Sequence, residues 1–370
     1  EVRGNNSVGG VCGSNSGTIT SCYNTGTVSC NFDSVGGVCG SNGGKITGCY
    51  NTGSVSGHNQ VGGVCGSNSS TITGCYNYNT GAVSGIKDVR GSRNVGGVCG
   101  YNEGGTITGC YNSGTVSGYN WIGGVCGRNS TGTITGCYNT GEVSGNSNIG
   151  GVCGDNERGT ITGCYTNNDV VCGNDNGTLD DCGENTNFTD GTVCSQLNTA
   201  LKKVNASVRF YKGANYPELI MNVPTLVEGV YQISNKEELY AFALVVNNVD
   251  ASAEAVLTAN ITVNTDLLAS LKEDGSIIDG KTVDTWKPIG SFDNPYKGTF
   301  DGQGHTISGL YFNNSNTNYV GLFGGNQGTI KNVGVVDSYF KGLNDVGGVC
   351  GYNFLSGTIT GCSNTGTVSG

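Results

Sequence analysis

From Val8 onward the chain repeats one arrangement of isolated apolar residues set among small polar ones. It reads Val8-Gly-Gly-Val-Cys-Gly13, a polar turn, Gly17-Thr-Ile-Thr-Ser-Cys-Tyr-Asn24, then Thr25-Gly-Thr-Val-Ser-Cys30. In Thr18-Ile19-Thr20 the alternation points Ile19 inward and both threonines outward, and Val28 does the same in the third run. Gly, Asn and Ser separate the runs, residues that accept positive φ and hydrogen-bond their own turns. Each unit predicts three short strands and three corners, one coil of a three-sided helix. Successive coils pair in parallel at ~4.8 Å, like residue over like residue. No coil buries its apolar side alone, so stability comes from stacking. The expected fold class is all-β, a parallel β-solenoid with coils of about 24–27 residues and short capping helices.

The unit returns from Val35, Val61, Val95, Ile122 and Ile149, and once more from Val346. Its first cysteine falls at 12, 39, 65, 99, 126 and 153, in steps of 26 or 27 with one of 34. The long step is assigned to inserted loop residues around 85–94, and a shorter, degenerate unit follows at 171–182. Glycines 48, 74, 109, 136 and 163 are expected as bulges that turn the following cysteine inward. Ser234-Asn-Lys-Glu237 reads as a capping box, and Leu239, Phe242, Ala243 and Val246 follow at helical spacing. A helix over 235–248 is expected to cover the first coil of a second tract. A shorter helix over 195–204, with 216–220 after it, is expected to close the first, as solenoids need caps against edge-to-edge association. The resulting division is 1–190 as a Cys-rich solenoid, 191–225 as helix and closing cap or linker, 226–318 as capping helix and entry strands, and 319–370 as a second solenoid tract. The chain ends on Gly366-Thr-Val-Ser-Gly370 and begins on Glu1-Val-Arg-Gly, which matches Asp88-Val-Arg-Gly91. End and beginning run together almost in register, as expected of a segment with a super-repeat or of copies stacked end to end.

The unit resembles the GLUG-motif repeat of bacterial surface and adhesin-like proteins. Val8-Gly-Gly-Val-Cys-Gly13, Gly17-Thr-Ile-Thr20 and Cys22-Tyr-Asn-Thr-Gly26 carry the resemblance. Gly229-Val-Tyr-Gln-Ile-Ser234, Trp286-Lys-Pro-Ile-Gly290, the run from Tyr296 to His305 and Val320-Gly-Leu-Phe-Gly324 resemble the entry to such a domain. The resemblance implies repetitive scaffolding at the cell surface and little about activity.

Gly is 67 of 370 residues without a collagen period, Pro only 4, and charged residues 12%, a balance that suits many tight corners. The net charge of −10 is diffuse, and no basic cluster interleaves with aromatics, which argues against nucleic acid. No apolar stretch approaches the ~20 residues of a membrane-spanning helix. Eighteen cysteines beside two histidines, with no Cys-x-x-Cys, argue for an oxidising compartment and against zinc or an iron–sulfur cluster. The expected location is extracellular or at a cell surface.

The coils offer the pairs Cys12/Cys22, Cys39/Cys49, Cys65/Cys75, Cys99/Cys110, Cys126/Cys137, Cys153/Cys164, Cys172/Cys182 and Cys350/Cys362, and one coil replaces both members by Phe323 and Val333. Both or neither is what a within-coil disulfide predicts. Reduced, buried thiols and bridges between adjacent coils are the alternatives. Cys30 and Cys194 are left without an assignment. Tyr23, Tyr50, Tyr76, Tyr111, Tyr138 and Tyr165 form a column that either stacks on sugar rings or stabilises the coils. Outward Thr-x-Thr ranks at 18/20, 71/73, 106/108, 133/135 and 160/162, interrupted by Lys45, resemble an ice-binding face. An Asn column at 15, 42, 68, 102, 129, 156 and 353 is expected to satisfy corner backbone groups. Asp155, Glu157 and Arg158 fall together only once, His305 sits in a turn, and Asp180, Asp181 and Glu184 match no calcium loop. No catalytic, cofactor or metal residues are assigned. The expected function is a non-enzymatic extracellular scaffold, with other copies end to end or a surface glycan as partners.

Overall fold

A computed structural model describes residues 1–78, 83–85, 93–185, 187–189 and 191–370. Residues 86–92 of the inserted loop, and with them the Asp88–Gly91 match, therefore lie outside the described residues. The chain divides into two compact units, Glu1–Met221 and Asn222–Gly370.

The first unit is a parallel β-solenoid whose coils feed five short ladders of six or seven strands, the last coil, 172–184, feeding three of them. Three strands per coil were expected. The difference arises because Gly-Gly splits the Val-Gly-Gly-Val-Cys-Gly run into two ladders, and the corner after Thr-Ile-Thr separates it from Tyr-Asn. Register is like over like: Cys39 pairs with Cys12 and Cys65, Ile72 with Ile46 and Ile107, and Tyr111 with Tyr76 and Tyr138. Six spacings of ~4.8 Å make the seven strands of the Thr-Ile-Thr ladder, Lys45–Thr47 and Thr178–Asp180 included, a column of about 29 Å. Inside, Ile46, Ile72, Ile107, Ile134 and Ile161 pack with the cysteines and Val38, Val64, Val98, Val125 and Val152 as one strip, and Val28, Val35, Val55, Val61, Val95, Val116 and Ile122 form another.

Two backbone devices make the corners. The residue before the Val or Ile of each unit is left-handed: Ser7, Ser34, Gln60, Asn94, Trp121 and Asn148 have φ between 49° and 61°. The first glycine of Val-Gly-Gly faces the chain as it folds back, and a Cβ at Gly62 would stand 1.9 Å from the carbonyl oxygen of Cys65.

The helix expected over 195–204 spans Thr192–Lys203 (α1) and leads into an antiparallel hairpin, Val208–Lys212 with Pro217–Met221. These elements run along the flank of the coils, and do not cap their end. A Cβ at Gly163 would meet Ala200 at 2.2 Å, at Gly136 Leu201 at 2.6 Å, at Gly109 Val208 at 2.3 Å and at Gly74 Met221 at 2.4 Å. These glycines are not bulges: with φ of 58–60° they are left-handed corners whose missing side chains seat the flanking elements. The last coil stays open, with Val170 49% and Leu179 39% exposed.

The second unit opens with Thr225–Val227 antiparallel to Val230–Ile233, which pairs in parallel with Glu254–Leu257. The ladder continues through Thr299–Asp301, Thr329–Lys331 and Thr358–Thr360. Helix α2, Lys236–Asn248, buries Leu239, Phe242, Val245 and Val246, and Phe242 packs against Tyr231, Tyr296 and Phe300. Its cap lies one residue later than expected. Asn235, not Ser234, accepts from the Glu238 backbone at 2.9 Å, and Glu238 returns to the Ser234 backbone at 2.7 Å. Phe323 pairs with Cys350, in the place of a first cysteine.

Candidate functional site

Two directional amide ladders run through the first unit. In the expected one, Asn15 donates to Asn42, Asn42 to Asn68, Asn68 to Asn102 and Asn102 to Asn129, each at 2.8 Å, and Asn129 to Asn156 at 3.0 Å. Each amide also closes its own corner, as Asn42 Nδ2 does on the Gly44 carbonyl at 2.9 Å. Asp175 ends the ladder, because its carboxylate accepts from Asn156 at 2.8 Å and has no proton to pass on. The second ladder, Asn24, Asn51, Asn77, Asn112 and Asn139, links at 2.7–2.8 Å and is buried throughout. The sequence reading missed it, although the recurrent Cys-Tyr-Asn carried the signal.

No two cysteine sulfurs are bonded to one another in the structure, those of the eight expected within-coil pairs, Cys172/Cys182 and Cys350/Cys362 included. The reason lies in where each sulfur is held. The first cysteine of a coil donates to the carbonyl two residues ahead and the second to the carbonyl two residues behind. Cys12 thus bonds Ser14 at 3.1 Å and Cys22 bonds Thr20 at 3.3 Å. In the second unit Cys350 bonds Tyr352 and Cys362 bonds Thr360, each at 3.4 Å, and Cys362 also reaches the Ile330 carbonyl of the preceding coil at 3.7 Å. The thiols run along the stack instead. Cys39 meets Cys65 of the next coil side chain to side chain, and the Cys49 sulfur accepts from the Cys22 backbone, as the Cys75 sulfur does from Cys49, each at 3.4 Å. Burial pushes Cys75, Cys99, Cys126, Cys137 and Cys153 well above the usual thiol range. Cys30 donates to the Asn5 carbonyl at 2.9 Å, and Cys194 is buried on α1 among Tyr138, Tyr165 and Leu197.

The tyrosines form a face-to-face stack. Ring centroids from Tyr23 through Tyr50, Tyr76, Tyr111 to Tyr138 are 4.7–5.1 Å apart, with planes within 8°. Within the stack the ring faces are covered by neighbouring rings, and the two ends, Tyr23 and Tyr138, each have a stacked Tyr on one side alone. Tyr138 and Tyr165 are buried beneath α1 and the hairpin, and Tyr138 donates to the Pro217 carbonyl at 2.7 Å. A cleft of 400 Å³ lies between Tyr50, Tyr76, Tyr111 and the hairpin's Glu218, Leu219 and Met221. The column is thus a stack of rings packed face to face along the coils.

The Thr ranks are not a flat open face. Thr73 and Thr135 are buried, since the glycines that follow them seat Met221 and Leu201. Asp155 and Glu157 converge on Arg128, each at 3.0 Å, and Arg158 stands 3.7 Å from Glu157. The Ser130 hydroxyl and the Arg128 charge hold the Glu157 carboxyl below its ordinary range. Arg128 and Arg93 both lie over the Trp121 ring, at 4.9 and 5.2 Å, and the Asp155 and Glu157 carboxylates are paired with Arg128 within the fold. His305 Nδ1 lies 3.2 Å from the Asn260 amide oxygen, in a turn closed by its own backbone bond to Gly302. Among the described residues, no three His, Cys, Asp or Glu side chains group as metal ligands. Asp181 is a left-handed corner whose carbonyl accepts from Tyr165. No helix among the described residues is long and apolar enough to cross a membrane.

The GLUG motif matches the chain at residues 91–117, 118–144 and 342–369. The chain is 38% identical over 104 residues to halomucin of Haloquadratum walsbyi, a match that covers 25% of this chain and 1% of that protein. It is 35% identical over 78 residues to a Gly-rich membrane protein of Evansella cellulosilytica, covering 20% of this chain and 8% of the other. The chain thus spans a small fraction of either relative. No solved structure matches it.

Proposed function

The chain is a GLUG-repeat β-solenoid protein, and we propose that it serves as a non-catalytic structural segment of an extracellular or cell-surface protein, a scaffold of stalk or adhesin type. The observation that carries this reading is the unbroken register of the first unit, where seven cysteines, one per coil, follow one another through a single ladder from Cys12 to Cys172. Such a stack is quasi-one-dimensional: its length follows the number of repeats and each coil is held by its neighbours. The relatives' printed descriptions, halomucin and a Gly-rich membrane protein, support a surface setting.

The coil from Val346 to Gly370 also favours stacking. Ile359 and Val368 are 38% and 40% exposed, whereas Ile330 and Phe340, their partners one coil earlier, are fully buried. A further GLUG coil laid on this edge, from the same polypeptide or another copy, would remove that apolar surface from water. Two measurements test the reading. Protease shaving of intact producing cells should release peptides of this chain, and negative-stain microscopy of the purified chain should show unbranched end-to-end particles. Peptides found only after lysis would remove the surface assignment, and monodisperse single particles at all concentrations would remove self-stacking.

A further inference from the structure

Within the second unit, a 460 Å³ cleft lies between the C-terminal end of α2 and two loops. It is lined by Asn247, Lys287, Phe292, Phe312, Asn314, Asn318 and Tyr319, among others. Its apolar wall belongs to a surface aromatic cluster drawn from separate coils. Phe292 stacks on Tyr319 at 4.8 Å and meets Tyr352 and Phe354 at 5.7 and 5.4 Å. Phe292 remains 44% exposed and Tyr352 37%. Tyr319 takes the left-handed corner before Val320, with φ 63°, the same corner that Trp121 takes before Ile122 in the first unit. Exposed aromatics gathered beside a cleft mark a binding surface more often than an idle one.

The polar groups narrow the ligand. Asn247 is fully engaged, donating to the Pro288 carbonyl at 3.1 Å and accepting from the Gly290 backbone at 2.7 Å, so it builds the wall. Asn314 and Asn318 use only their oxygens, accepting from the Asn316 backbone at 3.0 Å and from the Asn344 amide at 3.1 Å. Among the described residues, the Nδ2 groups of both point to no protein partner, and Lys287 forms no ion pair. No carboxylate lines the cleft. Amide donors set beside exposed aromatic rings, with one unpaired ammonium and no acid, match hydroxyl groups on an apolar-faced ring.

We propose that this cleft binds a pyranose oligosaccharide, its ring against the exposed part of Phe292 and its hydroxyls on the Asn314 and Asn318 amides. The site is separate from the tyrosine stack and goes beyond the scaffold reading, which stands or falls independently. The full chain is titrated, by calorimetry and on an array, with two probe sets: neutral β-linked gluco- and manno-oligosaccharides, and uronate oligosaccharides. Saturable binding to either set supports the proposal if Phe292→Ala weakens it at least tenfold. Asn318→Asp, which keeps the acceptor for Asn344 and removes the donor, should weaken it similarly, and Tyr23→Ala should leave it unchanged. A uronate preference lost in Lys287→Gln assigns the ammonium to the acid, and a neutral preference leaves Lys287 aside. Circular dichroism melts confirm that each variant folds. No binding to either set by the wild-type chain overturns the proposal. So does binding that loses affinity with Phe292→Ala but not with Asn318→Asp, since an apolar protein contact would behave that way.

Discussion

Asn112 donates its side-chain amide to Asn139 of the next coil at 2.7 Å while accepting from Asn77 of the previous coil at 2.8 Å, and all three are fully buried. It also holds its own corner through both the amide and the backbone of Gly114. Asn112→Leu takes one acceptor from Asn77 and one donor from Asn139, and it strips the buried Gly114 carbonyl and N–H of their side-chain partner, each such group costing about 1–3 kcal/mol when unsatisfied. A loss of at least that size is expected in urea unfolding followed by circular dichroism. Asn15→Leu, at the end of the other ladder, strands one neighbour and should cost clearly less. Equal losses would show that the ladder is not cooperative.

Gly136→Ala is expected to unseat α1 without unwinding the coils. The new methyl would lie 2.6 Å from Leu201, on a backbone whose φ of 60° already disfavours a side chain. Hydrogen exchange should rise across Thr192–Lys203 and the hairpin, while Ile107 and Ile134 stay protected. Adding Leu201→Ala should recover part of the protection, a coupling that two independent sites would not show.

The thiol columns predict where oxidation goes. Like cysteines of adjacent coils sit at strand spacing, within the Cα range of a disulfide. A mild oxidant should therefore link Cys39 to Cys65, or Cys49 to Cys75, before any within-coil pair. Seven cysteines from Cys12 to Cys172 cannot all pair, so one thiol per column should stay titratable. Each bridge closes a loop of about 26 residues and should add about 3 kcal/mol. Peptide mapping that returns Cys39–Cys49 or Cys350–Cys362 would reverse this account.

Alkali should loosen the flank. Burial, and then the neighbouring Asp181 charge, push the Tyr165 phenol up to about 12 from 10.0, and burial raises Tyr138 well above its ordinary range. The folded state prefers the neutral phenols. Their contribution is therefore intact below pH 10 and is lost as pH rises from 10 through 12. Absorbance titration should show both phenols ionising late and together with loss of α1 structure. Ionisation of every tyrosine in one early step would contradict the buried placement.

Much of this architecture was legible in the chain. Ile19, Ile46 and Ile72 announce their inward positions by alternation, and the 26- or 27-residue step announces that they stack. The flanking position of α1 was not legible. A glycine such as Gly136 reads alike whether it bends a strand, turns a corner or receives Leu201, and only the long-range contact distinguishes them. That same contact, with Gly74 on Met221, buries Thr135 and Thr73 and interrupts the open face which the threonine ranks suggested. The cleft was hidden for a related reason. Phe292, Tyr319 and the Tyr352–Phe354 pair come from three separate stretches of sequence, and no period links them.

The left-handed corner before each Val or Ile is occupied by Ser, Gln, Asn, Trp, Tyr and Asp in turn, at Ser7, Gln60, Asn148, Trp121, Tyr319 and Asp345, with φ of 49–63° throughout. The ladders on either side impose the turn, so residue identity there is released from the job of making it. Every added repeat thus brings one chemically unrestricted socket at a set pitch. A lineage lengthening this protein by duplication would gain, along with reach, a regularly spaced row of positions on which new specificities can be written one side chain at a time.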